Sequence, residues 1–427
     1  MHILIEAVGS AGDVHPFLAI GQALAARGHE VDVMTSEYFA GRVRQAGLGV
    51  IAGSSAEDYQ RAISQPDLWH PRLGFRALWR ESQKKLLPYY ALLQEHIRPG
   101  ETVLLGSTLA WSVRLAQECL GVPAATVHLS PSCILSADAP ARMAGLGSWL
   151  EHLPVSWRRA FLGWVEKKFL DGVVMDDLNV IRAQLGLAPV SKVFSHWQHS
   201  PQAVICAFPA WFCAPQKDWP ALSVTTGFPM WRMPGTQALS PALQAFLAEG
   251  EGPIGFTPGS AMAFGRPFFE RAQAACAALG RRAVFVTPFS EQLPWGTNGA
   301  APAFIHHERY VPFDALVPQL AALVHHGGIG TMAQAMHAGV PQLITPFAHD
   351  QFDNAARVTR LGCGAQLDAA SPVKKWTSTL ARLLADPATR AACQRMQGLM
   401  SDQAQVLAQI VAQVEALAVG QQEAVLT

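Results

Sequence analysis

The sequence predicts an α/β protein of two Rossmann-like domains facing a cleft. Three observations support this. Short apolar runs that end in glycine alternate with amphipathic stretches, at the N-terminus and again after residue 250, and strands alternating with helices pair in parallel with both faces covered. At 427 residues the chain exceeds one ordinary core and suits two domains of about 200 residues each. The stretch "PQKDWPALSVTTGFPMWRMPGTQALSP" (Pro215 to Pro241), rich in proline and without period, separates the halves.

The elements follow in order. Ile3 to Val8 is a compact apolar run broken at Gly9, and the amphipathic stretch Pro16 to Arg27 is stopped by Gly28, which gives strand, loop and helix. Glu30 to Thr35 alternates as a strand does, and Thr102 to Ser107 and Ala124 to Ser130 flank the helical "LAWSVRLAQECLG". From about Ser54 to Gln198 the pattern is irregular, with Trp69, Trp79, Trp149, Trp157, Trp164 and Trp197 among Lys and Arg. These tryptophans either line an apolar groove or belong to the core. The second half offers strands at Pro253 to Pro258, Arg282 to Pro288, Ala303 to His307, Leu320 to His326 and Gln342 to Pro346. Its helices are expected at Phe264 to Leu279, Thr331 to Ala338 and Asp350 to Leu361, and the chain ends helically after Val373. The expected boundaries are residues 1–215, a linker at 216–245, 246–400, and C-terminal helices at 401–427 that return to the first domain.

Composition narrows the function. Hydrophobic residues make up 50% of the chain, so a large core can be buried. Lys plus Arg and Asp plus Glu both number 32, so no global field attracts a polyanion, and nucleic acid is not an expected partner. Seven scattered cysteines without a C-x-x-C pair read as reduced core residues. The opening "MHILIEAVGS" lacks a signal-peptide pattern, and no apolar run approaches the roughly 18 residues of a membrane span, so a cytoplasmic protein is expected.

The chemistry sits where strands end. In "LVHHGGIGTMAQAMHAGVP" an apolar strand runs into Gly327-Gly328 before a helix, which offers bare N–H groups and a helix dipole to a diphosphate. No lysine follows the glycines and the spacing is not G-x-G-x-x-G, so the loop is neither a P-loop nor a dinucleotide fingerprint. His325 either donates to phosphate or, with His326, bonds within the loop. "FTPGSAM" brings Ser260 to a second strand end. "RYVPF" places Tyr310 to stack on a nucleobase and Val311 to pair with its edge, with core packing the alternative and, for Phe313, the better reading. "PFAHDQFDNAARV" puts Asp350 and Gln351 at a turn where they read sugar hydroxyls, or where Asp350 only caps a helix. "VGSAGDVHPF" sets Asp13 in a loop as a general base, with helix capping its alternative and His15 a competing base. No D-x-D occurs, so protein groups rather than a metal are expected to steady a leaving diphosphate, and no cofactor is expected.

"GSAGDVHP", "FTPGSAM" and "HHGGIGT…GVPQLITPFAHDQFDNA" together resemble the family-1 glycosyltransferases of the two-Rossmann-domain (GT-B) class over nearly the whole chain. "DLWHP", "SPSCILSA", "HSPQAVICAFPAWF", "PQKDWP" and "TGFP" are similar to the rhamnosyltransferase branch of that family that serves rhamnolipid biosynthesis. The resemblance implies that Asp13 deprotonates the acceptor. It implies that His325, with Gly327, Gly328, Gly330 and Thr331, meets the diphosphate, and that Asp350 and Gln351 hold the sugar. Tyr310 and Val311 then hold the base, and Ser260 matches the serine after the second-domain strand. Ala333 stands where plant members carry a ribose-binding glutamate, which favours dTDP over UDP. The implied reaction is inverting, metal-independent transfer of L-rhamnose from dTDP-L-rhamnose to a 3-(3-hydroxyalkanoyloxy)alkanoic acid. Its partners are that nucleotide sugar and the lipid hydroxy-acid acceptor, with room for peripheral contact with the inner membrane or an acceptor-synthesising acyltransferase. A UDP-glucose-dependent glucosyltransferase making a glucolipid and a sugar-nucleotide epimerase are the alternatives, and an NAD-dependent oxidoreductase is disfavoured for want of the dinucleotide fingerprint.

Overall fold

Two parallel sheets, each wound in the same order, organise the chain. In this computed structural model residues 1–144, 148–233, 235 and 238–425 are described. The first sheet holds β1 (His2–Glu6), β2 (Glu30–Ser36), β3 (Gly49–Ser54), β4 (Thr102–Ser107), β5 (Ala124–His128), β6 (Val204–Cys206) and β7 (Ser223–Thr225). The second holds β8 (Ile254–Thr257), β9 (Ala283–Val286), β10 (Ile305–Glu308), β11 (Ala322–His325), β12 (Gln342–Ile344) and β13 (Gly364–Gln366). Their orders are β3-β2-β1-β4-β5-β6-β7 and β10-β9-β8-β11-β12-β13, every pair parallel. Both are doubly wound, and each reverses direction between its first and fourth strands, where a crevice opens at the strand ends.

By contacts the chain divides into two units, Met1–Ala62 with Arg72–Trp231 and Ser401–Thr427, and Ile63–Pro71 with Arg232–Met400. The expected linker at 216–245 is corrected by this. It contains β7, which pairs with β6 and completes the first sheet, and the start of the helix Pro241–Ala248, capped by the Ser240 hydroxyl. Among the described residues of that span, 216–222 and 226–240 lie outside helix and strand. Segment 401–427 carries one helix, Gln403–Val425, packed on Ala11–Ala26 in the first unit. Gln403 fixes its start by accepting from Met230 N (2.8 Å) and donating to Phe228 O (3.1 Å), and Arg27 and His29 bond Glu415 further along.

The first helix begins at Ala11, not Pro16. Ser10 and Asp13 close a reciprocal cap over its first turn, and Pro16 sits inside the helix at the cost of one main-chain bond. In the irregular middle, Trp79, Trp111 and Trp197 pack ring on ring at 5.1 and 5.7 Å in the first unit's core, with Phe75 and Phe194 beside them. Trp149, Trp157 and Trp164 are exposed instead. Of the six tryptophans expected to line a groove or the core, Trp79 and Trp197 are thus core, while Trp149, Trp157 and Trp164 face outward. A cleft of about 340 Å³ in this region is lined by Arg76, Trp79, Arg80, Gln83, Gly172, Val173 and Asp177, which makes it more polar than apolar. In the second unit Trp376 is fully buried against Phe268, 5.6 Å between rings. No helix among the described residues is long and apolar enough to cross a membrane.

One carboxyl lies in the wrong medium. Glu6 ends β1 with 1% of its surface exposed and accepts from the Ser112 hydroxyl, and burial pushes its pKa up to about 8. The folded chain therefore holds a proton that the unfolded chain releases near its ordinary pKa of 4.5. This stabilisation is complete at low pH and is lost as pH rises toward about 8. Glu6→Gln, which keeps shape without a titrating group, should flatten the fall of Tm between about pH 5 and pH 8, read by calorimetry. An unchanged slope would show that Glu6 titrates normally.

Candidate active site

In the first unit the crevice between β1 and β4 is closed by the Ser107 hydroxyl, which accepts from Val8 N at 3.1 Å. Just beyond, Gly9 takes φ +134°, a conformation open to glycine, and a Cβ there would overlap the Asp13 carboxylate. Asp13 is the third residue of the helix rather than a loop residue, a correction to the sequence reading. Its Oδ2 accepts from Ser10 N (2.7 Å) and Ser10 Oγ (2.9 Å). Burial raises its pKa above the ordinary 3.8, and the two Ser10 bonds only partly offset this. The capping role is therefore real, and the raised basicity comes with it.

His15, the competing base, is shifted the other way. Burial, and then the charge of Arg42, push its pKa down to about 3, and its ring packs on Trp231 at 4.8 Å. Burial thus moves the two candidates in opposite directions, His15 toward weaker basicity and Asp13 toward stronger.

In the second unit β8 and β11 are neighbours, with His325 beside Thr257 in register, so the loops that leave them meet. Gly259, at φ +102°, and Gly328 both lie against the His326 ring, and a Cβ on either would strike it. His326, without an assigned role from sequence, is the wedge between the two loops. Ser260 follows, exposed, on the turn. Gly327 takes φ +98°, where a side chain would meet Ile344 and Gln351. Gly328 caps the helix Ile329–His337 by accepting from Met332 N at 3.0 Å, so the N–H groups of Ile329, Gly330 and Thr331 have no helical partner. A Cβ on Gly330 would enter open space. This is an anion-binding geometry.

His325, expected either to donate to phosphate or to bond within the loop, makes two hydrogen bonds inside the protein. It is fully buried, its Nδ1 accepts from Gly327 N at 3.1 Å, and its Nε2 lies 2.9 Å from Gln342 Oε1. Burial lowers its pKa to about 4, so it is neutral with one N–H, which goes to Gln342. The bond from Gly327 lies within the loop and the one to Gln342 reaches β12, and the buried strand end disfavours an imidazolium. His325 thereby shapes the cradle.

The opposite wall comes from Gln351–Arg360. Gln351 is buried and its Oε1 accepts from Phe347 N (2.8 Å) and Ala348 N (3.1 Å), which leaves Nε2 as its donor to a ligand. Asp350 is half-buried at the helix start, where its side chain caps no helix N–H and Oδ2 accepts from Asn354 Nδ2 at 2.8 Å. The preceding His349 has φ +56°, rare for a side-chain-bearing residue and costing on the order of 1 kcal/mol. Asn354, fully buried, also donates to Gly327 O at 2.9 Å and so ties this helix to the glycine loop. Tyr310, 46% exposed, follows β10. The adjoining Val311 side chain is buried while its main-chain N–H and C=O have no hydrogen-bond partner among the described residues. Phe313 packs at the edge of a small core, in line with the reading preferred for it.

Sequence reasoning missed Gln342, Asn354 and Gln292. Gln292 accepts from Gly265 N (2.6 Å) and donates to Met262 O (2.7 Å), which orders the loop after β8. The available signal was an uncharged amide in an apolar run or on the inner face of a helix, where only hydrogen bonds offset burial.

Two family models match the chain, the glycosyltransferase family 28 N-terminal domain over residues 3–135 and the erythromycin biosynthesis protein CIII-like C-terminal domain over residues 291–417. The O-mycaminosyltylonolide 6-deoxyallosyltransferase of Streptomyces fradiae is 31% identical over 379 residues, 86% of this chain and 85% of that protein. Among solved structures, the glycotransferase of kitacinnamycin superposes with a TM-score of 0.74 at 20% identity, covering 98% of this chain and 99% of its own. The glycosyltransferase VinC, in complex with dTDP, gives 0.66 at 20% identity with 98% and 99% covered. With the doubly wound sheets and the glycine cradle already in place, these matches show that the chain belongs to the glycosyltransferases of the EryCIII-like type, with the GT-B fold.

Proposed function

We propose that the enzyme transfers L-rhamnose, with inversion and without a metal, from dTDP-L-rhamnose to the hydroxyl of a 3-(3-hydroxyalkanoyloxy)alkanoic acid, forming a mono-rhamnolipid. Family membership sets aside the epimerase and oxidoreductase readings. The observation that carries the donor is Ala333. It is 1% exposed on the glycine-loop helix, so no carboxylate stands there for a ribose diol, and a deoxyribose donor offers no 2′-hydroxyl to lose. The 6-deoxyhexose in the name of the Streptomyces relative and the dTDP bound to VinC support the same choice. The acceptor rests on the sequence resemblance outside the nucleotide site.

In this reading Asp13 takes the acceptor's hydroxyl proton as the oxygen attacks the anomeric carbon. The bond from that carbon to the diphosphate breaks through an oxocarbenium-like state. The electron pair leaves with dTDP, whose charge is met by the N–H groups of Ile329, Gly330 and Thr331, by the Thr331 hydroxyl and by the Ser260 turn. Asp350 and Gln351 Nε2 hold the sugar, while Tyr310 stacks on thymine and the Val311 main chain pairs with it. His325, Gln342 and Asn354 are positioning residues. A product mass assay with both donors tests the whole. A gain of one deoxyhexose on the lipid acid from dTDP-rhamnose is expected, preference for UDP-glucose would replace the donor, and no transfer to the lipid acid would replace the acceptor.

Asp13→Asn should lower kcat by about 10²- to 10⁴-fold with little change in dTDP affinity, and retained turnover would remove Asp13 as base. Ser10→Ala deletes a bond that favours the charged carboxylate, so it should raise the Asp13 pKa and move the acid limb of the kcat/KM profile to higher pH. Gly330→Ala adds a methyl in open space on a helix, so Tm should hold or rise slightly. If the diphosphate occupies that space, KM for the donor rises about tenfold, and an unchanged KM would place the phosphates elsewhere.

A further inference from the structure

Fourteen large hydrophobic side chains are exposed among the described residues, and four of them fall between positions 149 and 169: Trp149 (45%), Trp157 (68%), Trp164 (50%) and Phe169 (56%). Three of these are contiguous through Phe161. Trp149 meets Phe161 at 5.3 Å, Phe161 meets Trp164 at 6.0 Å, and Trp164 meets Phe169 at 5.2 Å. Trp157, Phe161 and Trp164 recur at i, i+4 and i+7 on the helix Val155–Val165, while Leu162 on the other side packs on Ala137 and Leu150. The indole N–H groups of these three exposed tryptophans have no protein partner among the described residues.

The exposed charge of this segment that has no ion pair among the described residues is cationic. Arg159, Lys167 and Lys168 are exposed and form no ion pair among the described residues. Of the carboxylates in and just after this stretch, Glu151 is half-buried and paired with Arg142, while Glu166 and Asp171 are buried and already bonded. Glu166 accepts from Ser195 N and Oγ, and Asp171 from Lys192 N and Val193 N. In a chain of zero net charge this is a local concentration of cations beside bare aromatic rings.

We infer that this aromatic and cationic face docks on an anionic phospholipid surface. Tryptophan is suited to such a boundary, because its ring partitions among acyl chains while its N–H bonds a headgroup. Lysine and arginine at its rim meet the lipid phosphates. A second copy of the chain is a poorer occupant, since a two-fold contact would set the same cations against one another.

Binding to vesicles, read without donor or acceptor, stands or falls apart from the transfer reaction. The full chain should bind vesicles of equal parts phosphatidylcholine and phosphatidylglycerol at least tenfold better than phosphatidylcholine alone, roughly a fivefold gain per cation. Binding should weaken with salt, and brominated acyl chains should quench the tryptophan emission. Lys167→Glu with Lys168→Glu should lose the preference for anionic lipid. Trp157→Ser with Trp164→Ser should lose quenching with an unchanged circular dichroism spectrum and Tm. Equal binding to both vesicles, variants that bind as the parent does, or a dimer in sedimentation that Trp157→Ser dissolves would each overturn the assignment.

Discussion

The hydrogen bond from Gly327 N–H to the His325 ring is the interaction on which the glycine cradle of the second unit depends. A parallel strand that runs into a helix must turn within a few residues, and it must leave its first helical N–H groups without partners for an anion to use them. A buried, neutral imidazole lets both conditions hold. It fastens the loop by accepting at Nδ1 and donating at Nε2, so Gly327 can take φ +98° while Ile329, Gly330 and Thr331 remain open. Asn354 secures the same loop from the neighbouring helix.

The first unit applies a similar economy. Ser10 and Asp13 cap the first helix, and the same contact sets the basicity of the carboxyl. Burial raises its pKa, hydrogen bonds restrain the rise, and Gly9 leaves space for the side chain by having none. Capping and catalysis stand as alternatives in the sequence, whereas in the folded chain one group can serve both. Nearby His15, buried without a charge partner, is pushed the other way.

Much of the fold was legible because burial on both faces writes itself as continuous apolar runs. Thr102–Ser107 was bounded as observed, and β8, β9, β11 and β12 were found within two residues. Short strands at or next to three of the four sheet edges were not. β3, β6, β7 and β13 have three to six residues, some with glycine, and acquire strand character only by pairing. Proline misled twice. At Pro16 it suggested a helix start that the Ser10 cap places earlier, and between 215 and 241 it suggested a linker where the chain builds β7 and begins a new helix.

The sequence alone determined the alternation of strand and helix, the glycine loops at strand ends and the polar residues that follow them, because these depend on local pattern and backbone freedom. Only the tertiary structure decided what each polar side chain does. His325 turned inward because the strand that carries it is buried on both sides. His326 became a wedge because β8 and β11 lie side by side. Trp79, Trp111 and Trp197 joined the core while Trp157 and Trp164 stayed outside, since residues alike in sequence differ by which helix face another element happens to cover. Protonation and exposure are properties of surroundings, and surroundings come from residues far apart along the chain.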